Sequence, residues 1–328
     1  MNIYGTLGPS CCTKDKLESM IRAGMNGIRL NLSHGMLTSF EPYLNELIAA
    51  EKECAAKVEI VIDMEGPELR IGQLNNALNL CDGDIVNLGD EIPLRSYILE
   101  QLEPNMICRL DDGKIELVIL KKDKSGFLCK VTRGGVLKSK KSFAVLDHSF
   151  IVPVLTDNDI TNLRYATKYD ISAILQPFVR SANDIIEVRK VLNKLGLPNV
   201  KVIAKIEDIN GLNNADEIIL EADTVLFARG DLGNCLDLWL LPSFQKKISK
   251  KCIGANKPLI IATQLIASME NKPVPTRAEM NDIYNCVIDG ATGLMLTGET
   301  AAGKYPVESI GFLAKAAEQA YKDKKTAV

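Results

Sequence analysis

Apolar and polar positions alternate along most of the chain between short β-type runs and longer amphipathic stretches. Residues 2–6 read as a strand, followed by a helix from Thr13, a suitable N-cap, to Gly24. Residues 27–32 are strand-like, 37–56 helical, and 58–64 (VEIVIDM) a third strand. After a long interruption, 157–169 reads as a helix, 171–175 as a fourth strand, and 182–195 as a helix closed by Gly196 and Pro198. Residues 200–206 (VKVIAKI), 224–228, 258–263 and 292–296 supply strands five to eight, and a last helix covers 307–322. Eight strands alternating with helices predict an α/β fold, a closed parallel (β/α)8 TIM barrel. No G-x-G-x-x-G follows the first strand, so a dinucleotide-binding sheet lacks its signature.

The interruption, residues 67–152, has a different pattern. Short alternating runs at 115–120 and 127–131 are separated by Asp82-Gly83, Asp112-Gly113, Ser125-Gly126 and Gly134-Gly135, all β-turn pairs. We read it as a β-rich insertion, a small β-barrel lid, between barrel segments 1–66 and 153–328. Leaving after strand three, it emerges at the C-terminal face, where barrel active sites lie, and can exclude water from them.

Composition narrows the possibilities. Hydrophobic residues at 46% and charged residues at 25% are ordinary for a globular protein, and a net charge of −3 offers no footprint for nucleic acid. No apolar run approaches the ~20 residues that span a bilayer, and the start carries Gly8, Pro9 and charges instead of a signal-peptide core. Nine scattered cysteines without a C-x-x-C pair indicate reduced thiols and a cytoplasmic protein. Only His34 and His148 are present, which disfavours a histidine zinc site or a Ser-His-Asp triad. The chemistry is left to carboxylates, lysine, arginine, hydroxyls and a metal held by oxygen.

Polar clusters stand at the C-terminal ends of the expected strands: residues 29–35, 63–66, 205–207, 228–233, 262–264 and 297–300. Each alone could be a cap or turn; six on one face argue for a site. Lys205 and Glu207, two apart on a strand, share a face, which in a barrel is the interior. They could form a simple buried ion pair. Asp231 on the next strand favours a hard cation, Mg2+ or Mn2+, between the carboxylates. Lysine beside it would neutralise charge on a transferred phosphoryl group. Arg29 and Arg70 offer forks for phosphate or carboxylate, although Arg70 could instead pair with Glu68. Asn31, Ser33 and Asp63 are oxygen donors that could equally serve as caps.

In order along the chain, Thr6-Leu7-Gly8-Pro9-Ser10, Arg29-Leu30-Asn31-Leu32-Ser33-His34-Gly35, Asp63 with Gly66-Pro67-Glu68-Leu69-Arg70, Ser139-Lys140-Lys141, Lys205-Ile206-Glu207, Ala228-Arg229-Gly230-Asp231-Leu232-Gly233, Pro275-Thr276-Arg277-Ala278-Glu279 and Met295-Leu296-Thr297-Gly298-Glu299-Thr300-Ala301 resemble the motifs of pyruvate kinases over nearly the whole sequence. The resemblance implies phosphoryl transfer from phosphoenolpyruvate to ADP, giving pyruvate and ATP. It assigns Glu207 and Asp231 to the divalent metal, Lys205 to the phosphoryl group, Arg29 to phosphate oxygens, and Thr263 to the path that protonates the enolate carbon. The Gly230-Asp231 backbone would receive the substrate carboxylate. Asn31, Ser33, Asp63 and the Met64 carbonyl match a K+ site, and Asn31, Arg70, His34 and Lys141 lie near the nucleotide phosphates.

There are departures. Glu65 stands where the family usually has lysine. Glu68 is the type associated with K+ dependence, whereas Met64 and Ile71 look more like K+-independent members. Asn234-Cys235-Leu236-Asp237 replaces an aliphatic–Glu–Ile–Pro run, and Ser142, Ala144, Leu146 and Asp147 replace glycine, asparagine, proline and glycine. The sequence ends after the last barrel helix, so the usual C-terminal regulatory domain and sugar-phosphate activation are expected to be absent. The expected assembly is a homo-oligomer, a dimer rather than a tetramer. The rival readings are a diverged paralogue with lost or altered kinase activity, and a non-catalytic subunit using residues 276–279 as an oligomer surface.

Overall fold

A computed structural model of the protein describes residues 1–66, 69–148, 150 and 152–326. Its eight parallel strands are β1 (Asn2–Thr6), β2 (Gly27–Asn31), β3 (Glu59–Asp63), β4 (Ile171–Gln176), β5 (Lys201–Ile206), β6 (Thr224–Ala228), β7 (Leu259–Ala262) and β8 (Gly293–Met295). Each pairs with its successor, and β8 pairs with β1, closing the expected (β/α)8 barrel.

The period-two alternation of a strand sorts side chains between two cores. Along β5, Val202, Ala204 and Ile206 join the layer under the surrounding helices, while Ile203 joins the barrel interior with Val61, Leu226 and Ile260. Lys201 and Lys205 share the parity of Ile203, and Glu59 and Asp63 that of Val61. The interior is therefore an apolar band with charged residues at both rims.

Tyr4 fills the lower part of the band. A Cβ on Gly27 would come within 2.2 Å of its ring, so β2 passes there only as glycine. The Tyr4 hydroxyl donates to Glu59 Oε2 at 2.5 Å, and Lys201 Nζ lies 3.5 Å from the other Glu59 oxygen.

Local chemistry trims the expected elements. The stretch from residue 37 begins as a 3-10 turn, Leu37–Phe40, and becomes α-helical only at Glu41–Cys54, with Pro42 in its first turn. The seventh strand stops at Ala262 because Thr263 and Gln264 both have positive φ, 68° and 54°.

Among the described residues, the insertion forms a five-stranded antiparallel sheet in the order Phe143–Val145, Ile107–Leu110, Ile115–Asp123, Gly126–Arg133, Ile85–Leu88. A two-stranded ribbon pairs Leu78–Leu80 with Gly135–Leu137. The insertion encloses its own core, including Leu88, Ile98, Leu117 and Phe127. Arg109 seats it on the barrel, donating to the carbonyls of Asn234 at 3.0 Å and Leu236 at 3.4 Å.

The chain returns to the barrel at the helix Asp157–Ala166, whose N-terminus carries a Thr156/Asp159 capping box. Asp159 is fully buried. Its carboxylate accepts N–H groups from Thr156 at 2.9 Å and, from the outgoing chain, from Glu65 at 2.8 Å and Gly66 at 3.0 Å.

Candidate active site

The upper rim of the barrel gathers Thr6, Arg29, Asp63, Lys205 and Glu207 from β1, β2, β3 and the end of β5. Asp63 is the hub. Arg29 donates through Nε at 2.8 Å and through its terminal nitrogen at 2.6 Å to Asp63 Oδ2, and reaches the Thr6 hydroxyl at 3.2 Å. Lys205 Nζ lies 3.2 and 3.3 Å from the two Asp63 oxygens and 2.9 Å from Glu207 Oε1. The other Glu207 oxygen accepts the Phe178 N–H at 2.9 Å.

These groups are buried, and their proton affinities differ accordingly. Burial alone would raise the Asp63 carboxyl, but Lys205 and Arg29 outweigh it and hold the group below the usual range. Burial alone would neutralise Lys205, but Asp63 and Glu207 keep it protonated, above the ordinary lysine range. At Glu207 burial wins. Lys205, shared with Asp63, opposes it only in part, Asp231 and Asp63 add repulsion, and the carboxyl is pushed up to about 8.

The rim opens into a polar cavity of about 200 Å3 whose lining includes Asn31, Ser33, Met64, Glu65, Arg70 and Asp231. The Asn31 side-chain oxygen accepts the Ser33 N–H at 3.2 Å. Met64 is buried beside Asp63, and its N–H donates to the Leu175 carbonyl. Glu65 points toward the returning helix, accepting from Asn158 at 2.9 Å. The Arg70 guanidinium donates to the Lys140 carbonyl at 2.9 Å, while Glu68, its alternative partner, lies outside the described residues with Pro67. Lys141 pairs with Asp111 at 2.8 Å inside the insertion. The backbone of His34 ends a 3-10 turn, Leu32–His34; its side chain lies outside the description.

A second, larger cleft of about 660 Å3 adjoins Asp231 and is lined by Gly230, Thr263, Gln264, Thr297 and Glu299 among others. A β-branched residue at positive φ, such as Thr263, carries a strain of ~1–3 kcal/mol and persists only where its surroundings impose it. Its hydroxyl accepts the Gly230 N–H at 2.8 Å, and its carbonyl receives two Arg229 donors, at 3.0 and 2.8 Å. Sequence reading gave Arg229 no role. Its signal was its place beside Gly230-Asp231 at a strand end.

Glu207 and Asp231 both line the cavity, and Glu207 Oε1, excluded from water, has only the Lys205 ammonium at 2.9 Å beside it, a pair of carboxylates that suits a hard divalent cation. Among the described residues no group of three or more metal-ligating side chains converges. A cation at Glu207 and Asp231 would therefore complete its shell with substrate oxygens and water, as Mg2+ commonly does.

The profile of the pyruvate kinase barrel domain matches residues 1–310. The chain belongs to the pyruvate kinase family. It is 36% identical over 326 residues to the pyruvate kinase of Aeropyrum pernix, covering 98% of this chain and 71% of that one. It is 35% identical over 331 residues to that of Clostridium acetobutylicum, covering 96% and 69%. The Geobacillus stearothermophilus pyruvate kinase matches at 36% over 320 residues, 94% of this chain but 54% of its own length.

Membership gives the departures physical meaning. Asp147, where pyruvate kinases usually carry glycine, has φ 55°, a conformation aspartate tolerates better than most side chains. Ser142, at another glycine position, bonds Asp112 through its hydroxyl, accepting the N–H at 2.8 Å and donating to the carboxylate at 2.9 Å. The Asn234–Leu236 stretch supplies the carbonyls that seat Arg109. Within residues 276–279, Thr276 and Glu279 form a capping box and Glu279 also accepts the Ser268 N–H at 2.8 Å, while Arg277 and Ala278 are exposed.

Proposed function

We propose that this chain transfers the phosphoryl group of phosphoenolpyruvate to ADP, with uptake of one proton, giving pyruvate and ATP. The observation that carries the reading is Lys205, held charged between Asp63 and Glu207 at the closed end of the polar cavity. A fixed ammonium there meets the charge on the phosphoryl oxygens in flight without reorganisation. Arg29, oriented by Asp63, binds phosphate oxygens. Thr263 faces the carbon of the enolate that takes up the proton. The Gly230 N–H is engaged by Thr263, so the substrate carboxylate is received at the helix start through the Asp231 backbone as well.

Mg2+ or Mn2+ on Glu207 and Asp231 would offset their mutual repulsion and bind the substrate's oxygens. A K+ ion would sit among Asn31, Ser33, Asp63 and the Met64 carbonyl, which line the same cavity. The ADP phosphates would lie along Arg70, Asn31, His34 and Lys141, the last after exchanging Asp111 for phosphate. We place the protein in the cytoplasm as a homo-oligomer, a dimer in preference to a tetramer. The nine cysteines are unpaired, and no helix among the described residues is long and apolar enough to cross a membrane.

The rival readings are not favoured. A paralogue that had lost catalysis would have no need to keep Lys205, Glu207, Asp231 and Thr263 together. The test is a lactate-dehydrogenase-coupled assay with phosphoenolpyruvate, ADP and Mg2+, with and without K+. Pyruvate release dependent on ADP is expected; its absence with every nucleotide and cation tried would reject the reading.

A further inference from the structure

Thr263 holds a conformation that threonine rarely adopts, and one buried side chain grips it there. Arg229, 9% exposed, places Nε and one terminal nitrogen on the Thr263 carbonyl at 3.0 and 2.8 Å. Its other terminal nitrogen lies 2.6 Å from Asp282 Oδ2. Asp282 belongs to the helix Arg277–Ile288, whose Glu279 holds Ser268 through its N–H at 2.8 Å and its hydroxyl at 2.6 Å. One helix therefore fixes the loop after β7 at two points, five residues apart.

The grip decides where the Thr263 hydroxyl hydrogen goes. The oxygen accepts the Gly230 N–H at 2.8 Å, which leaves the hydroxyl's own hydrogen to be given to the cleft. An accepted hydrogen bond also polarises the O–H and makes it a better donor. The geometry points to Arg229 and Asp282 as positioning residues that hold Thr263 as a proton-side donor facing the substrate carbon; this rests on the pyruvate-kinase reading above. Neither side chain is assigned contact with substrate. Arg229 acts through a carbonyl, Asp282 acts through Arg229, and the effect appears at a hydroxyl on the same residue as that carbonyl. Without the fork, residues 263–264 relax toward negative φ and the hydroxyl leaves the Gly230 N–H.

Arg229→Gln, Arg229→Lys and Asp282→Asn test this in the full chain by three measurements. Crystal structures of the variants should show Thr263 out of the positive-φ region in Arg229→Gln, with its bond to Gly230 broken. Steady-state kinetics should show kcat for pyruvate formation lowered ~10–100-fold, the range set by a misplaced reacting group, and KM for phosphoenolpyruvate changed less than ~3-fold. Exchange of pyruvate methyl hydrogens with D2O, followed by NMR, should fall at least as much as kcat. Arg229→Lys should recover part of the loss, because one ammonium can still donate to the carbonyl, and Asp282→Asn should show a smaller loss of the same kind.

Thr263 retaining both its φ and its Gly230 bond in Arg229→Gln overturns the proposal. So does a loss confined to KM, with methyl exchange intact. If Arg229→Gln does not fold, Asp282→Asn decides by the same measurements. If the unaltered enzyme turns nothing over, the functional reading fails by itself, and the crystal structures still decide whether Arg229 and Asp282 hold Thr263.

Discussion

The barrel carries a lysine–carboxylate pair at both ends of the same two strands, and the two ends behave differently. At the lower end Lys201 faces Glu59 at 3.5 Å; at the upper end Lys205 faces Asp63 at 3.2 Å. The lysine side chain is 59% exposed below and 14% above. Below, water screens the pair and the Tyr4 hydroxyl shares Glu59, so little depends on it. Above, the apolar band lies beneath and the lid above, and every charge leans on the next. Identical sequence parity thus produces a surface ion pair or a poised site, depending on what covers it.

Four substitutions or titrations sharpen the contrast. The largest effect is expected from Lys205→Met, which should lower kcat in the coupled assay by ~10³-fold or more, the scale of a lost transition-state charge contact. A rate within tenfold of the unaltered enzyme would move the phosphoryl-stabilising role elsewhere. Asp63→Asn leaves Arg29 and Lys205 buried with an incomplete counter-charge and should cost ~3–5 kcal/mol in urea unfolding. A loss under ~1 kcal/mol would show that the rim, like the floor, is screened by solvent.

Third comes pH. The Glu207 carboxyl, raised from 4.5 to about 8, keeps its proton in the cation-free folded state over a range where the unfolded chain has lost it. Between those values the folded state binds more protons, so this group's contribution to stability falls as pH rises. A cation must displace that proton. Mn2+ affinity, followed by electron paramagnetic resonance, should rise toward pH 8, by ~10-fold per unit for a single displaced proton, and then level off. Affinity flat over this range would remove Glu207 from the cation's ligands. The smallest effect belongs to Lys201→Met, under ~1 kcal/mol in the same unfolding experiment and without change in kcat. A drop in kcat would show that the two rims are coupled through the barrel.

The sequence made much of this legible, for identifiable reasons. Strand parity alone put Lys205 inside the barrel beside Glu207, and motif order carried the family. The Asp63 hub was not legible, because β3 and β5 are far apart in sequence and meet only through β4, the strand both of them flank. Nor was the Arg229 grip. It depends on Thr263 ending its strand at positive φ, where the apolar run of residues 258–263 reads as strand to its end. The occupation of Lys141 by Asp111 was hidden as well, since the pairing runs between two strand ends within the insertion.

Asp159 has a mechanical consequence. One buried carboxylate receives the chain as it departs for the insertion and caps the helix on which the chain returns. The lid is therefore tied where its two connections meet: Asp159 holds the departing chain, and Arg180 holds the returning one through the Phe150 and Val152 carbonyls at 3.4 and 2.8 Å. Any widening of the cleft mouth has to turn about these ties or break them. Arg109, bonded to the Asn234 and Leu236 carbonyls, is a further tie that such a widening would have to release.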